Sequence, residues 1–219
     1  MTGLPRRPWR IIKLGGSLLD LPNLPTVLEQ WYVSQSPLPS VLMVGGGVDV
    51  DRIRQDQQSH LKSEVADHWA CIDIMSRNAW HVARTLSALN PLADWCELAA
   101  RLSTIACGLT SSTGHARAAP LLVFDVASFL RTVEPQLPGT RLPHNWDTTS
   151  DSIAARLAEV LYARELVLLK STLPQRGISR QDAVTSGLVD RHFDRAAMTI
   201  PIVRCVQLRQ PHWPECVLA

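Results

Sequence analysis

An apolar run, Ile11-Ile12-Lys13-Leu14, ends directly in Gly15-Gly16-Ser17, and a second, Val41-Leu42-Met43-Val44, ends in Gly45-Gly46-Gly47. Short apolar runs closed by glycine read as buried strands. Each such ending exposes backbone N–H groups with no side chain in the way. With a lysine just inside the first strand end, this arrangement suits an anion, and a phosphate best of all. Two strand ends of this kind can hold two phosphates, or one in transit.

The rest of the chain alternates strand and helix. Strands are predicted at 10–14, 40–44, 121–124, 166–169 and 202–208. Helices are predicted at 25–33, with Pro25 at a favoured first position, and from about 48. Others are predicted over 64–89, 94–102, 127–134 and 150–163. Ser150 or Asp151 can cap the start of the last of these. In the long stretch His68, Ile72, Met75, Ala79, Val82, Leu86 and Leu89 repeat in steps of four and three. That seam suits lengthwise packing on another helix, either within the chain or on a second copy. Strands alternating with helices give an α/β fold: a three-layer αβα sandwich with a mainly parallel central sheet. Ligands of such sheets sit at the carboxyl ends of the strands, where both glycine turns lie.

Several function classes fall away on composition. At 219 residues with 46% hydrophobic and 19% charged content, the chain suits one globular domain. A net charge of +2 without a basic run gives no support for a nucleic-acid partner. No apolar stretch approaches the ~18 residues of a membrane span. The basic, proline-bearing first ten residues lack the apolar region of a secretory signal, so a cytoplasmic location is expected. The five cysteines form no C-x-x-C pair and are odd in number, so a zinc site or disulfide frame is not expected. The seven tryptophans are expected in the core or at a subunit contact.

Common nucleotide motifs fail. The Walker pattern is absent, and Val50 stands where G-x-G-x-x-G would need its last glycine, which disfavours a nicotinamide enzyme. The protein-kinase motif set is missing as well.

A different set is present, in order: Lys13-Leu14-Gly15-Gly16-Ser17, then Val44-Gly45-Gly46-Gly47, then Thr149-Ser150-Asp151-Ser152-Ile153-Ala154, then Leu168-Leu169-Lys170-Ser171. In this order and spacing the chain resembles the amino acid kinase family, which includes acetylglutamate kinase, aspartokinase and uridylate kinase. The block Trp146–Ala154 and the helix His68–Ala79 look most like the branch containing aminomethylfuran phosphate kinase of methanofuran synthesis. They are more distantly similar to the subunits of molybdenum storage protein.

The resemblance implies transfer of a phosphoryl group from ATP, with Mg²⁺ on the phosphate oxygens, to a small-molecule oxyanion. A phosphate monoester of one-carbon cofactor synthesis is the acceptor that this branch implies. By the same resemblance Lys13 bridges the β- and γ-phosphates, and Asp151 orients the catalytic lysines. Gly15, Gly16, Ser17, Ser150, Lys170 and Arg176 belong to the nucleotide side. Gly45, Gly46, Gly47 and Asp147 belong to the acceptor side. Residues 1–145 then form the acceptor and phosphate lobe and 146–219 an abbreviated nucleotide lobe of one domain. The family habit also implies a homodimer or larger assembly.

One family feature is missing. No lysine follows Lys170, where a second catalytic lysine is usual. Lys170, Arg176 and Arg180 are the candidates for its charge, though arginine and lysine are not equivalent there. The gap leaves a second reading open: a non-catalytic nucleotide or oxyanion store on the same fold. Residue by residue, plainer readings also stand. Lys170 can be a solvated strand end, Asp151 a helix cap, Asp147 and Trp146 loop packing. Asn78 and His81 read as structural.

Overall fold

The computed structural model describes residues 9–57, 63–86, 91–111, 119–173 and 177–219. Its centre is one six-stranded sheet in the order β3-β2-β1-β4-β5-β6. The strands are β1 (Arg10–Leu14), β2 (Ser40–Val44), β3 (Leu121–Val123), β4 (Glu165–Lys170), β5 (Ile202–Gln207) and β6 (Glu215–Val217). Neighbours among β1 to β5 run parallel, and β6 closes one edge antiparallel to β5. The fold class is the expected α/β sandwich. The edge strand β6, three residues following Pro214, was not expected.

Period-two alternation sorts each strand onto two helical layers. Ile11, Val41, Met43, Leu166 and Leu168 face one core. Helices α3 (Glu64–Thr85), α4 (Trp95–Ser111), α6 (Ser150–Val160) and α8 (Phe193–Ala197) contribute to that core. Ile12, Leu14, Leu42, Val44, Val167 and Leu169 face the other, under α1 (Leu24–Ser34) and the last turns of α3. Lys13 shares its face with Ile11, and Lys170 with Leu168. Both lysines therefore emerge on the side that α6 covers.

Several boundaries differ from expectation. Helix α4 runs nine residues past the expected end at 102. The stretch predicted as one helix over 127–134 is α5 (Val126–Ser128), then a wide π-type turn at Phe129–Val133 and a 3-10 turn at Glu134–Gln136. The helix expected over 150–163 stops at Val160, and Tyr162 takes a φ of 51° as the chain turns into β4. The six described members of the long-helix seam, His68 to Leu86, are all buried within the chain. These six residues are thus taken up by the protein's own core. The seam's seventh member, Leu89, lies outside the described residues. Trp9 and Trp31 are fully buried, whereas Trp69, Trp80, Trp95, Trp146 and Trp213 are only partly so.

Helix α6 is the element that the site depends on, and it is buried from Asp151 to Ala158. Ala154, Ala155 and Ala158 let it lie close to the sheet. Arg156, wholly buried, anchors its middle: Nε pairs with Glu134 at 3.1 Å, and Nη1 with Glu159 at 2.7 Å. Nη2 donates to the Leu137 carbonyl at 3.3 Å. Removing one side of a buried charge pair strands the other, which costs about 3–5 kcal/mol. The Arg156→Ala variant is expected to lose that much in urea unfolding. A loss below about 1 kcal/mol would show that α6 is held by packing alone.

Candidate active site

The strand order reverses between β1 and β4, because the chain steps outward from β1 to β2 and β3 and then returns to β1's other side. A crevice opens at such a switch point, beyond the strand carboxyl ends. Lys13 comes from β1 and Lys170 from β4. Lys13 is in register with Leu168, so Lys170 lies two residues further along the neighbouring strand, on the same face.

Asp151, in the first turn of α6, meets both. Lys13 Nζ lies 2.9 Å from Asp151 Oδ1, and Lys170 Nζ donates to Oδ2 at 2.7 Å. Lys170 also donates to the Leu188 carbonyl at 2.8 Å. The side chains of Lys13 and Asp151 are 6% and 7% exposed, so these charges interact with little water between them. Burial by itself would raise the Asp151 carboxyl, but the ammonium groups of Lys13 and Lys170 overcome that and hold it down at about 2. Burial pulls Lys13 below the ordinary lysine value. Asp151 opposes that shift, Lys170 adds to it, and the charge of Asp190 opposes it again.

The two glycine turns converge above these charges. A Cβ on Gly16 would stand 2.0 Å from the amide nitrogen of Gly47, closer than any side chain permits. Gly47 itself holds a φ of +67°, in the left-handed region. From α3, Asn78 Nδ2 donates to the carbonyls of Gly45 and Gly46 at 2.9 Å each, which fixes the second turn. Its reading as structural agrees with this geometry.

The individual glycines differ in what they offer. Gly15 donates its N–H to Leu169 O at 2.8 Å, and Gly45 donates to Leu14 O at 2.9 Å. Both amides extend the sheet and are not available to a phosphate, which corrects the expectation for Gly15. Among the described residues, the amides of Gly16, Gly46 and Gly47 donate to no protein acceptor. They remain as a cradle of bare N–H groups.

The resulting cleft has a volume of about 630 Å³. Lys13, Gly16, Gly46, Ser150, Asp151 and Asp190 are among its walls. Ser17 also reaches it and donates to Ser171 Oγ at 3.2 Å, joining the ends of β1 and β4. Asp147 lies at the rim, 3.4 Å from the exposed Arg191, and Arg54 stacks over the Trp146 ring at 5.2 Å. Beside the cleft lies a smaller chamber of about 50 Å³, walled by His68, Ile72, Met75 and Trp146. Burial, reinforced by the stacked His144, lowers the His68 imidazole to about 4 and leaves it neutral at pH 7.

Of the candidates for the missing second cation, Arg180 falls elsewhere. Arg180 donates to the carbonyls of Ala197 and Ile200, which turns it away from the cleft. Arg176 lies outside the described residues. Of the two described candidates, Lys170 is the one that reaches Asp151, and a solvated strand end does not describe it.

The cap of α6 also differs from expectation. Thr149 is the N-cap residue, and neither Ser150 nor Asp151 caps. The capping oxygen comes from Asp190, whose Oδ2 accepts from the amides of Thr149 and Ser152 at 3.0 Å each. Asp190 had no signal in the sequence: it follows Gly187-Leu188-Val189 in a loop, 41 residues beyond Thr149.

No protein-family profile matches this chain, and no curated protein sequence matches it. Its likeness is to solved structures. Superposed on the UMP kinase of Ureaplasma parvum it gives a TM-score of 0.60 at 11% identity, covering 97% of this chain and 99% of that one. The uridylate kinase of Archaeoglobus fulgidus gives 0.54 at 16% identity, with 96% and 90% covered. The UMP kinase of Bacillus anthracis gives 0.55 at 12% identity, with 94% and 90% covered. The likeness extends over almost the whole of each chain, and at these identities it establishes the fold.

The depressed Asp151 carboxyl makes an acid-side prediction. A group whose folded value lies below its unfolded one adds stability that is present above the unfolded value and lost as pH falls toward the folded one. For Asp151 that window runs from 3.8 down to about 2. The stability advantage of the natural protein over Asp151→Asn is therefore expected to be full above pH 5 and to shrink as the pH drops toward 3. Urea unfolding at a series of pH values reads it. An advantage that stayed constant over that range would show Asp151 to be unpaired in the folded state.

Proposed function

We propose that the protein transfers a phosphoryl group from ATP to an oxyanion on a small molecule. The observation that carries this reading is the pair of lysines on one buried carboxylate, set beneath two touching turns of bare amides. Phosphoryl transfer asks for alignment and charge neutralisation more than for covalent chemistry, and this arrangement supplies both.

In this reading the triphosphate lies along the cleft with its terminal phosphate over Lys13. The ammonium group offsets charge on the transferred group, and the amides of Gly16, Gly46 and Gly47 donate to its oxygens. Asp151 accepts no proton in the reaction. It keeps Lys13 charged and aimed, and Lys170 fixes Asp151 from the far side. Ser17 and Ser150 add hydroxyls at the cleft wall. Mg²⁺ would arrive with the nucleotide and would supply part of the charge neutralisation.

The acceptor enters from the side of the second glycine turn, with its oxyanion toward Gly46 and Gly47 and its body toward Trp146 and the neutral His68 chamber. A phosphate monoester suits that turn. The solved structures named above are kinases of UMP, itself a phosphate monoester, and the branch resemblance of residues 146–154 points to the same acceptor class. In this reading the chain up to residue 145 is the acceptor and phosphate lobe, and 146–219 is an abbreviated nucleotide lobe. The storage reading drew its support from the lack of a second lysine, and the position of Lys170 weakens it.

The test is ADP release from Mg·ATP in the presence of UMP and of other phosphate monoesters and carboxylates. Turnover is expected with one acceptor class only. Lys13→Ala is expected to lower it by about 100-fold or more, comparable with removing a donor to the transition-state charge, while the circular dichroism spectrum is kept. A folded Lys13→Ala protein with full turnover contradicts the role given to Lys13. Tight ATP binding with no transfer to any acceptor favours the storage reading.

A further inference from the structure

We propose that Asp190 is a positioning residue of this site: it grips the start of α6 on both sides of Asp151 and so sets that carboxylate at the one place where it meets both lysines. The inference rests on the phosphoryl-transfer reading for its kinetic consequence and on geometry alone for its structural one.

Five donors converge on Asp190. Oδ2 accepts from Thr149 N at 3.0 Å, Thr149 Oγ1 at 2.8 Å and Ser152 N at 3.0 Å. Oδ1 accepts from Ser152 Oγ and, at 3.2 Å, from His192 N. Backbone N–H groups can only donate, so three of these five bonds require Asp190 to accept, as an ionised carboxylate does. Thr149 stands two residues before Asp151 and Ser152 one residue after it. The backbone of Asp151 is therefore held from both directions by a residue outside its own helix. The same loop reaches the lysines: Leu188, two residues before Asp190, accepts the hydrogen bond from Lys170. A displacement of Asp190 must move Asp151 relative to Lys13 and Lys170 together.

Its charge matters as well as its grip. Lys13 is faced by Asp151 from α6, by Lys170 from β4 and by Asp190 from the loop, with the buried thiol of Cys205 on β5 nearby. Two ammonium groups are thus balanced by two carboxylates before any nucleotide arrives. Burial and the charge of Asp151 raise the Asp190 carboxyl, and the hydrogen bonds from Ser152 and Thr149 oppose that rise. Deleting the Asp190 charge removes one of the two anions that keep the Lys13 ammonium protonated.

Asp190→Asn keeps the shape and deletes the charge. Only three of the chain's 22 basic residues are lysine, at positions 13, 62 and 170, so ¹⁵N-lysine labelling leaves few signals to assign. In the ligand-free protein the Lys13 titration midpoint is expected to move to lower pH in Asp190→Asn. Affinity for Mg·ATP, measured by calorimetry, is expected to stay within about threefold, while turnover falls by about tenfold or more. A Lys13 midpoint that does not move overturns the charge role. Unchanged turnover in a folded variant overturns the positioning role. If Asp190→Asn does not fold, Ser152→Ala, which removes one grip and leaves every charge, carries the test: its turnover must fall while the Lys13 midpoint stays, and full turnover overturns the proposal. If the natural protein turns over no acceptor, the kinase reading fails on its own, and the Lys13 titration still decides the role of Asp190.

Discussion

A carboxylate held between two ammonium groups is the interaction on which this structure turns. Taking three charges out of water costs several kcal/mol for each ion unless the geometry is good and the remaining bonds are satisfied. Everything around Asp151 serves that condition. Strand alternation puts Lys13 and Lys170 on one face, the parallel register offsets them by two residues, and the start of α6 brings the carboxylate between them. The choice of lysine is selective. Only three of the 22 basic residues in the chain are lysine, and two of those meet Asp151. Where a compact point charge must sit against a carboxylate and still face a phosphate, the planar guanidinium does not substitute. Elsewhere the chain uses arginine, as in the Arg156 network with Glu134 and Glu159.

The charges alone would not select a polyphosphate. In the proposed reading the turns above them do. Their closeness at Gly16 and Gly47 leaves no room for a Cβ, and it brings amides from two strands to one small region. A tetrahedral anion with several oxygens can engage both turns at once, whereas a flat carboxylate has fewer oxygens to offer. Fold and site converge on one location, because the switch in strand order also lies between β1 and β4. The side proposed for the acceptor is built differently. It has a small chamber, an indole beneath a guanidinium and a neutral imidazole, a surface suited to the body of a small molecule more than to a second cluster of charge.

Much of this was legible in the sequence, for reasons that can be stated. The first two strands and their glycine turns announce themselves because apolar residues and glycine in succession leave few alternatives. Helix α6 and β4 carry clear apolar patterns, and the resemblance to the amino acid kinases singles out Asp151 and Lys170 within them. The rest depends on tertiary contacts that no local pattern encodes. Thr149, not Ser150 or Asp151, is the N-cap of α6, and a carboxylate from a distant loop takes the capping role and leaves Asp151 to the lysines. Gly15 looks identical to Gly16 in the sequence, but its amide completes the ladder to Leu169. The long-helix seam is equally compatible with a partner and with a core until the sheet beneath it is known. Arg180 carries the right charge in the right region, but two backbone carbonyls bind it.

The central claim is that Lys13, held by Asp151, meets a terminal phosphate where the two glycine turns touch. A crystal structure with a non-hydrolysable ATP analogue and Mg²⁺ tests it most directly. The account predicts the γ-phosphate within hydrogen-bonding reach, about 3 Å, of Lys13 Nζ and of the amides of Gly16 and of Gly46 or Gly47. An analogue bound with its phosphates away from both turns, and Lys13 still closed on Asp151 beneath an unengaged cleft, would contradict it.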